Sequence, residues 1–393
     1  MKPPLLASLV VMVAVTACGS GSATPSPGSG AAPPAAGSGS AHVDPSKLSA
    51  QDAYLTLCAV CHAAKMEGGA ADHAPSLVSP TFAESATDDF LRRSIAFGRP
   101  GTSMAAYSKQ LGGPLDDAAI TGLIGLIRTT GGVPLKELAP LAPAGDVTRG
   151  AALYQKNCQS CHGDTVARGQ AIHLANPRFL EVATDAFIHY AIENGRPNTK
   201  MVAWKGALST QDIDDVTAYV RNFTGKAQAP QPLLPAPTGD EPLVINPKGK
   251  TPVFKLTEDK YVSVDQVKAA LDAKQRLIII DARPPSEWRQ VHVEGAVSIP
   301  YHDMTRLDQM PKDGTWAIAY CACPHHLSGI VMDELRKRGY KNAVVLDEGI
   351  NEWHRRGYPV VAAPGVKPPP KEAPDPAAPP PTAPSHEPRA QRP

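Results

Sequence analysis

Cys58-Ala59-Val60-Cys61-His62 and Cys158-Gln159-Ser160-Cys161-His162 each place two thiols and an imidazole in one short stretch, twice in the same chain. The pattern C-x-x-C-H is a covalent attachment site for a c-type haem. Two thiols at this spacing reach the two vinyl groups of one porphyrin edge, and the adjacent imidazole comes to lie beneath the iron as its proximal ligand. The expected cofactors are two covalently bound haem c groups. The same residues could instead form zinc knuckles or disulfides.

A second pair of ligands is read from an internal repeat. Gly98-Arg99-Pro100-Gly101-Thr102-Ser103-Met104 recurs as Gly195-Arg196-Pro197-Asn198-Thr199-Lys200-Met201, an offset of 97 beside the 100 that separates Cys58 from Cys158. A lone Met is usually a filler of core gaps. Met104 and Met201 hold the same slot of a duplicated segment, which points to axial ligation of iron. Helical signals follow each Met. Ser209-Thr210-Gln211-Asp212 reads as a capping box opening a helix with Ile213, Val216, Val220 and Phe223 on its apolar face.

These motifs resemble class I c-type cytochromes over residues 47–134 and 146–226. The resemblance implies two small all-α domains, each wrapped around one haem with His62 and Met104, or His162 and Met201, on the iron. It also implies that Pro75 and Pro177 hold a loop against the proximal His. The chain departs from the family in lacking a Pro directly after either Met. It also carries Gly122 and Gly125 in the last helix of the first copy, near Ile120 to Ile127, where an aromatic is common. Only 5% of residues are aromatic, and a domain of about 80 residues struggles to build a sufficient core; a haem would supply it. Irons filled on both faces favour electron transfer over binding of a substrate at iron.

Lys2 and the apolar run from Leu5 to Val15 are too short to span a bilayer comfortably. Val15-Thr16-Ala17-Cys18 resembles a bacterial lipoprotein signal over residues 1–18, with Cys18 acylated as the first mature residue. That implies a periplasmic, lipid-anchored protein, and Gly19 points to the outer membrane over the inner. Residues 19–46 read as a flexible linker, 227–252 as a Pro-rich linker and 364–393 as a disordered Pro-rich tail. With 39 basic and 38 acidic residues and net charge +1, no broad field for nucleic acid exists.

Residues 253–363 alternate strands and helices. Val264 to Ala273 reads as a helix, Leu277 to Asp281 as a buried parallel strand, Ala317 to Tyr320 as another ending at Cys321, Ile330 to Arg338 as the next helix and Val344 to Leu346 as a third strand. In an open parallel sheet, chemistry belongs beyond the carboxyl ends of the strands. Cys321 sits there, ahead of a helix N-terminus that would lower a thiol pKa and cradle an anion. Asp281-Ala282-Arg283, Glu287-Trp288, His292 to Ala296, Ile299-Pro300, Tyr320-Cys321, Leu346 to Gly349, Trp353 and Gly357-Tyr358-Pro359 resemble the rhodanese superfamily. The resemblance implies an α/β domain with a parallel sheet and Cys321 as the nucleophile that takes sulfane sulfur as a persulfide.

The loop departs from that family, with His326 where an Arg or Lys commonly holds thiosulfate. Cys323 is a candidate resolving thiol, and Cys321, Cys323, His325 and His326 together offer soft-metal ligands, although four ligands in six residues cannot all easily face one ion. Cys321, Cys323 and His326 are the candidate catalytic set. The alternative is a non-catalytic docking, redox-sensing or metal-binding module. Expected partners are periplasmic redox proteins or a membrane respiratory complex, sulfane-sulfur compounds and, through the anchor, the membrane.

Overall fold

The computed structural model describes residues 44–69, 71–141, 144–223, 232–322 and 325–369. The signal with Cys18, the linker 19–43, Cys323 and the tail from 370 lie outside them.

The first helical segment is punctuated by side-chain caps. Ser49 accepts from Asp52 N to open Ala50–Leu57, Thr87 from Phe90 N to open Asp88–Phe97, and Asp116 from Ala119 N to open Asp117–Gly131. The last of these ends at Gly132, whose φ of 65° suits a residue without Cβ. Its interior glycines do not break it. Gly122 lets the helix approach Ala50, whose Cβ would lie 3.6 Å from an added Cβ, so the missing aromatic is replaced by a close helix crossing.

The second segment repeats the plan. Asp146 caps Val147–Asn157, Asn176 caps Pro177–Val182, Thr184 caps Asp185–Asn194, and the expected capping box of Ser209 and Asp212 opens Thr210–Arg221. Short helices Ala59–His62 and Gln159–His162 carry the two C-x-x-C-H motifs. The segments meet across an aromatic cluster. Phe90 stacks on Phe187 at 4.8 Å, while Phe82 on Phe187 and Phe179 on Phe90 make edge contacts, both at 6.4 Å. Phe82 and Phe179 are separated by 97 positions, as are Phe90 and Phe187, so the contact maps onto itself when the segments are exchanged.

The C-terminal part is built on strands β1 (Tyr261–Val262), β2 (Leu277–Asp281), β3 (Val291–Val293), β4 (Val297–Ser298), β5 (Trp316–Tyr320), β6 (Ala343–Leu346) and β7 (Val360–Ala362). Five form a parallel sheet in the order β1-β6-β5-β2-β4; β3 and β7 pair antiparallel. β2 and β5 are buried almost throughout, as a sheet covered on both faces requires. The helix after β5 runs His326–Lys337, four residues earlier than Ile330, because His325 in the left-handed region (φ 74°) turns the chain directly into it. Among the described residues no helix is long and apolar enough to cross a membrane.

Candidate haem and thiol sites

The two C-x-x-C-H motifs are held alike. In the first, the Nδ1 of His62 lies 3.0 Å from the Pro75 carbonyl; in the second, the Nδ1 of His162 lies 2.8 Å from that of Ile172. A carbonyl only accepts, so each ring carries its proton on Nδ1 and turns the Nε2 lone pair away, the tautomer that a metal ligand needs. Burial pushes the pKa of both imidazoles down, keeping them neutral. Pro75 plays its expected part, but Pro177 does not. Ile172 stands 97 positions after Pro75 and supplies the carbonyl, while Pro177 opens a helix, as Pro80 does in the first copy.

Cys58, Cys61, Cys158 and Cys161 are free thiols, not disulfides. Burial pushes the pKa of Cys58 and Cys61 up to about 12 and that of Cys158 up to about 11. Among the described residues no three His, Cys, Asp or Glu side chains converge on a metal-ion site. Paired thiols beside an Nδ1-anchored imidazole fit the donor set that a covalently attached haem needs.

The repeated G-R-P-x-T-x-M segment is a turn that presents its Met. Gly98 has φ +63°, and a Cβ there would lie 2.4 Å from the Met104 carbonyl; Gly195 has φ +64°, with the Ala203 amide at 2.5 Å. No side chain fits either position. The amides of Arg99 and Arg196 donate to the carbonyls of Met104 and Met201 at 2.7 Å, and the Thr102 and Thr199 hydroxyls accept from the two Met amides at 3.1 Å. The two turns are the same to within 0.1 Å in these bonds.

Two tyrosines escaped the motif reading. Tyr54 donates to the Ala63 carbonyl at 2.7 Å and Tyr154 to that of Gly163 at 2.8 Å, bracing the chain just past each His. The signal was present, since each stands four residues before its first motif Cys.

Cys321 follows β5 at the carboxyl edge of the sheet, with its sulfur 3.3 Å from the Ser328 hydroxyl and only 1% of the residue exposed. The Cys321 carbonyl accepts from the Ile350 amide at 3.1 Å, and a Cβ on Gly349 (φ +65°) would lie 2.6 Å from it, which fixes the nearest turn. His325 points elsewhere: its Nε2 lies 2.7 Å from Asp347 and its ring stacks 3.9 Å from Tyr261. His326 begins the helix, and Cys323 lies outside the described residues. Asp281 and Arg283, part of the rhodanese-like pattern, form a buried pair beneath the sheet edge, joined by the Tyr320 hydroxyl at 2.8 Å from Asp281.

The rhodanese-like domain family matches residues 263–356, and the family described as cytochrome C oxidase, cbb3-type, subunit III matches residues 145–220. The chain is 27% identical over 179 residues to the cbb3-type cytochrome c oxidase subunit FixP of Bradyrhizobium sp. (strain ORS 278), covering 43% of this chain and 58% of that protein. It is 33% identical over 99 residues to cytochrome c6 of Thermosynechococcus vestitus, covering 24% of this chain and 86% of the relative. Over 92 residues it is 35% identical to the probable adenylyltransferase/sulfurtransferase MoeZ of Mycobacterium tuberculosis, covering 23% of each chain. The chain therefore spans less than two thirds of FixP and under a quarter of MoeZ.

Proposed function

Because the chain belongs to the cytochrome c family and carries a rhodanese-like domain at its C-terminal end, we propose that it is an exported dihaem electron carrier with a sulfur-handling module. The observation that carries this reading is the duplicated ligand architecture: an Nδ1-anchored imidazole beside two thiols, and a Met presented by a glycine turn, once in each helical segment. Cys58 and Cys61, with His62 and Met104, would hold one haem; Cys158 and Cys161, with His162 and Met201, the other. The haem supplies a one-electron couple, and with His and Met filling both faces of iron no site remains there for a substrate.

The protein's own part is to fix the ligands and exclude water. Tyr54 and Tyr154 brace the turns past each His, while Thr102 and Thr199 orient each Met. Met201→Ala should remove about half of the Fe–S(Met) charge-transfer absorption of the oxidised protein, and Met104→Ala the other half. Full intensity in the double variant would overturn Met ligation.

The likeness to cbb3 oxidase subunits supports a membrane respiratory complex as electron partner in the periplasm. Acylation at Cys18 would tether the protein to the membrane, the outer in preference to the inner, through the long Gly, Ser, Ala and Pro linker. Mass spectrometry of the mature N-terminus should find a lipidated Cys18; an unmodified terminus at another residue excludes the anchor. Cys321 would handle sulfane sulfur. The MoeZ likeness and the position of Cys321 at the carboxyl edge of a parallel sheet support that role over pure docking.

A further inference from the structure

The duplicated helical segments are not treated alike by the rest of the chain. After Met104, Ala105, Ala106, Tyr107 and Ser108 are all buried; the matching positions after Met201 are Val202 and Ala203, exposed, Trp204, half-buried, and Lys205, exposed, with Val202 61% open. What covers the first and not the second is the rhodanese-like domain. The Tyr301 hydroxyl, three residues past β4, lies 2.8 Å from the carbonyl of Leu57, the residue before Cys58, and 3.2 Å from the Tyr107 hydroxyl. Tyr107 reaches the same Leu57 carbonyl at 3.1 Å. The Ser286 hydroxyl, five residues past β2, donates to the Ala106 carbonyl.

Both contacts come from chain leaving the carboxyl edge of the sheet. That is the edge at which Cys321 follows β5, since Asp281 at the end of β2 is in register with Tyr320 and with Ser298 at the end of β4. The first segment and this edge share one hydrophobic core containing Leu57, Tyr107, Ile299, Tyr301 and Cys321.

We propose that the rhodanese-like domain is the built-in redox partner of the first cytochrome segment, so that electrons released in the oxidation of a hydrosulfide ion at Cys321 enter the chain at the first haem. This rests on the dihaem reading above. Transfer of sulfane sulfur between thiolates releases no electrons and would give the haems nothing to carry. Joining the Cys321 thiolate to a hydrosulfide ion does. The S–S bond of a persulfide forms, the hydrosulfide proton goes to water, and two electrons leave, one for each of two ferric haems. The stretch from Cys321 to Ser328 contains no Arg or Lys to hold a dianion, and the thiol is buried, so a small monoanion fits where thiosulfate does not.

The test mixes the ferric holoprotein with sodium hydrosulfide without oxygen and follows haem absorption together with the mass of the Cys321 peptide. Expected is one added sulfur on Cys321 for every two haem electrons, with both signals lost in Cys321→Ser. Tyr301→Ala should leave the oxidised haem spectrum unchanged and slow the coupled reduction about tenfold or more. A Cys58→Ala, Cys61→Ala chain, keeping only the second haem, should lose the Cys321-dependent reduction. Equal haem reduction in the parent and in Cys321→Ser, with two intact haems, overturns the inference while leaving the carrier reading standing. Absence of covalent haem from either motif overturns the reading beneath it. Loss of two hydrogens from the peptide in place of an added sulfur, the mark of dithiol oxidation, excludes hydrosulfide as substrate.

Discussion

Replacement of Cys158 and Cys161 by Ala should leave a chain with half its covalent haem and a second helical segment that no longer folds stably. The thioethers would hold a haem where the core is otherwise thin. The apolar residues buried in this segment include Phe179, Leu180, Phe187, Ile188, Ile192, Ile213, Val216 and Val220, drawn from helices of at most 12 residues. Segments of this size rarely gain more than about 3–5 kcal/mol from a single core, so losing the group that fills it removes most of the margin. Phe187 also stacks on Phe90, so the damage reaches the first segment. Haem quantification on denatured protein, with a thermal melt followed by circular dichroism, reads both effects. Unchanged haem content would refute attachment at the second motif.

A comparable loss is expected in the C-terminal domain from Asp281→Ala. Asp281 is fully buried and accepts from the Arg283 amide at 3.0 Å, from Nε and an Nη of its guanidinium at 2.9 and 2.7 Å, and from the Tyr320 hydroxyl at 2.8 Å. Deleting the carboxylate strands a buried guanidinium, whose pKa Asp281 otherwise holds above the usual Arg range by direct attraction and hydrogen bonding against the opposing effect of burial. Glu287, 3.5 Å from the guanidinium, is a poorer partner, because burial raises its own pKa. Breaking a buried pair from one side costs about 3–5 kcal/mol. Chemical denaturation of the full chain, followed through Trp288 and Trp353 fluorescence, should show the C-terminal transition shifted by that amount. Asp281→Asn, which keeps an acceptor for Tyr320, should cost less. An unshifted transition in Asp281→Ala would show that Arg283 finds water or another anion.

The sequence by itself determined what depends on neighbours within a few residues. C-x-x-C-H is a covalent reach problem, the glycine-to-Met turn a backbone one, and the helix start at Ser209 a side-chain cap. All were legible as residue types at fixed spacing. Strands β2, β5 and β6 were legible too, because a strand buried on both faces must be continuously apolar. Tertiary structure decided the rest. Which carbonyl meets His162 depends on how a loop folds back over ten residues, and Ile172 has no side-chain signature for that role because its backbone does the work. The burial of Cys321, the engagement of His325 with Asp347 and the clasp of Tyr301 on Leu57 join residues far apart in the chain. The matching turns that end at Met104 and Met201 lead into opposite environments for the same reason. The sequence repeats the turn, but one sheet edge can cover only one copy.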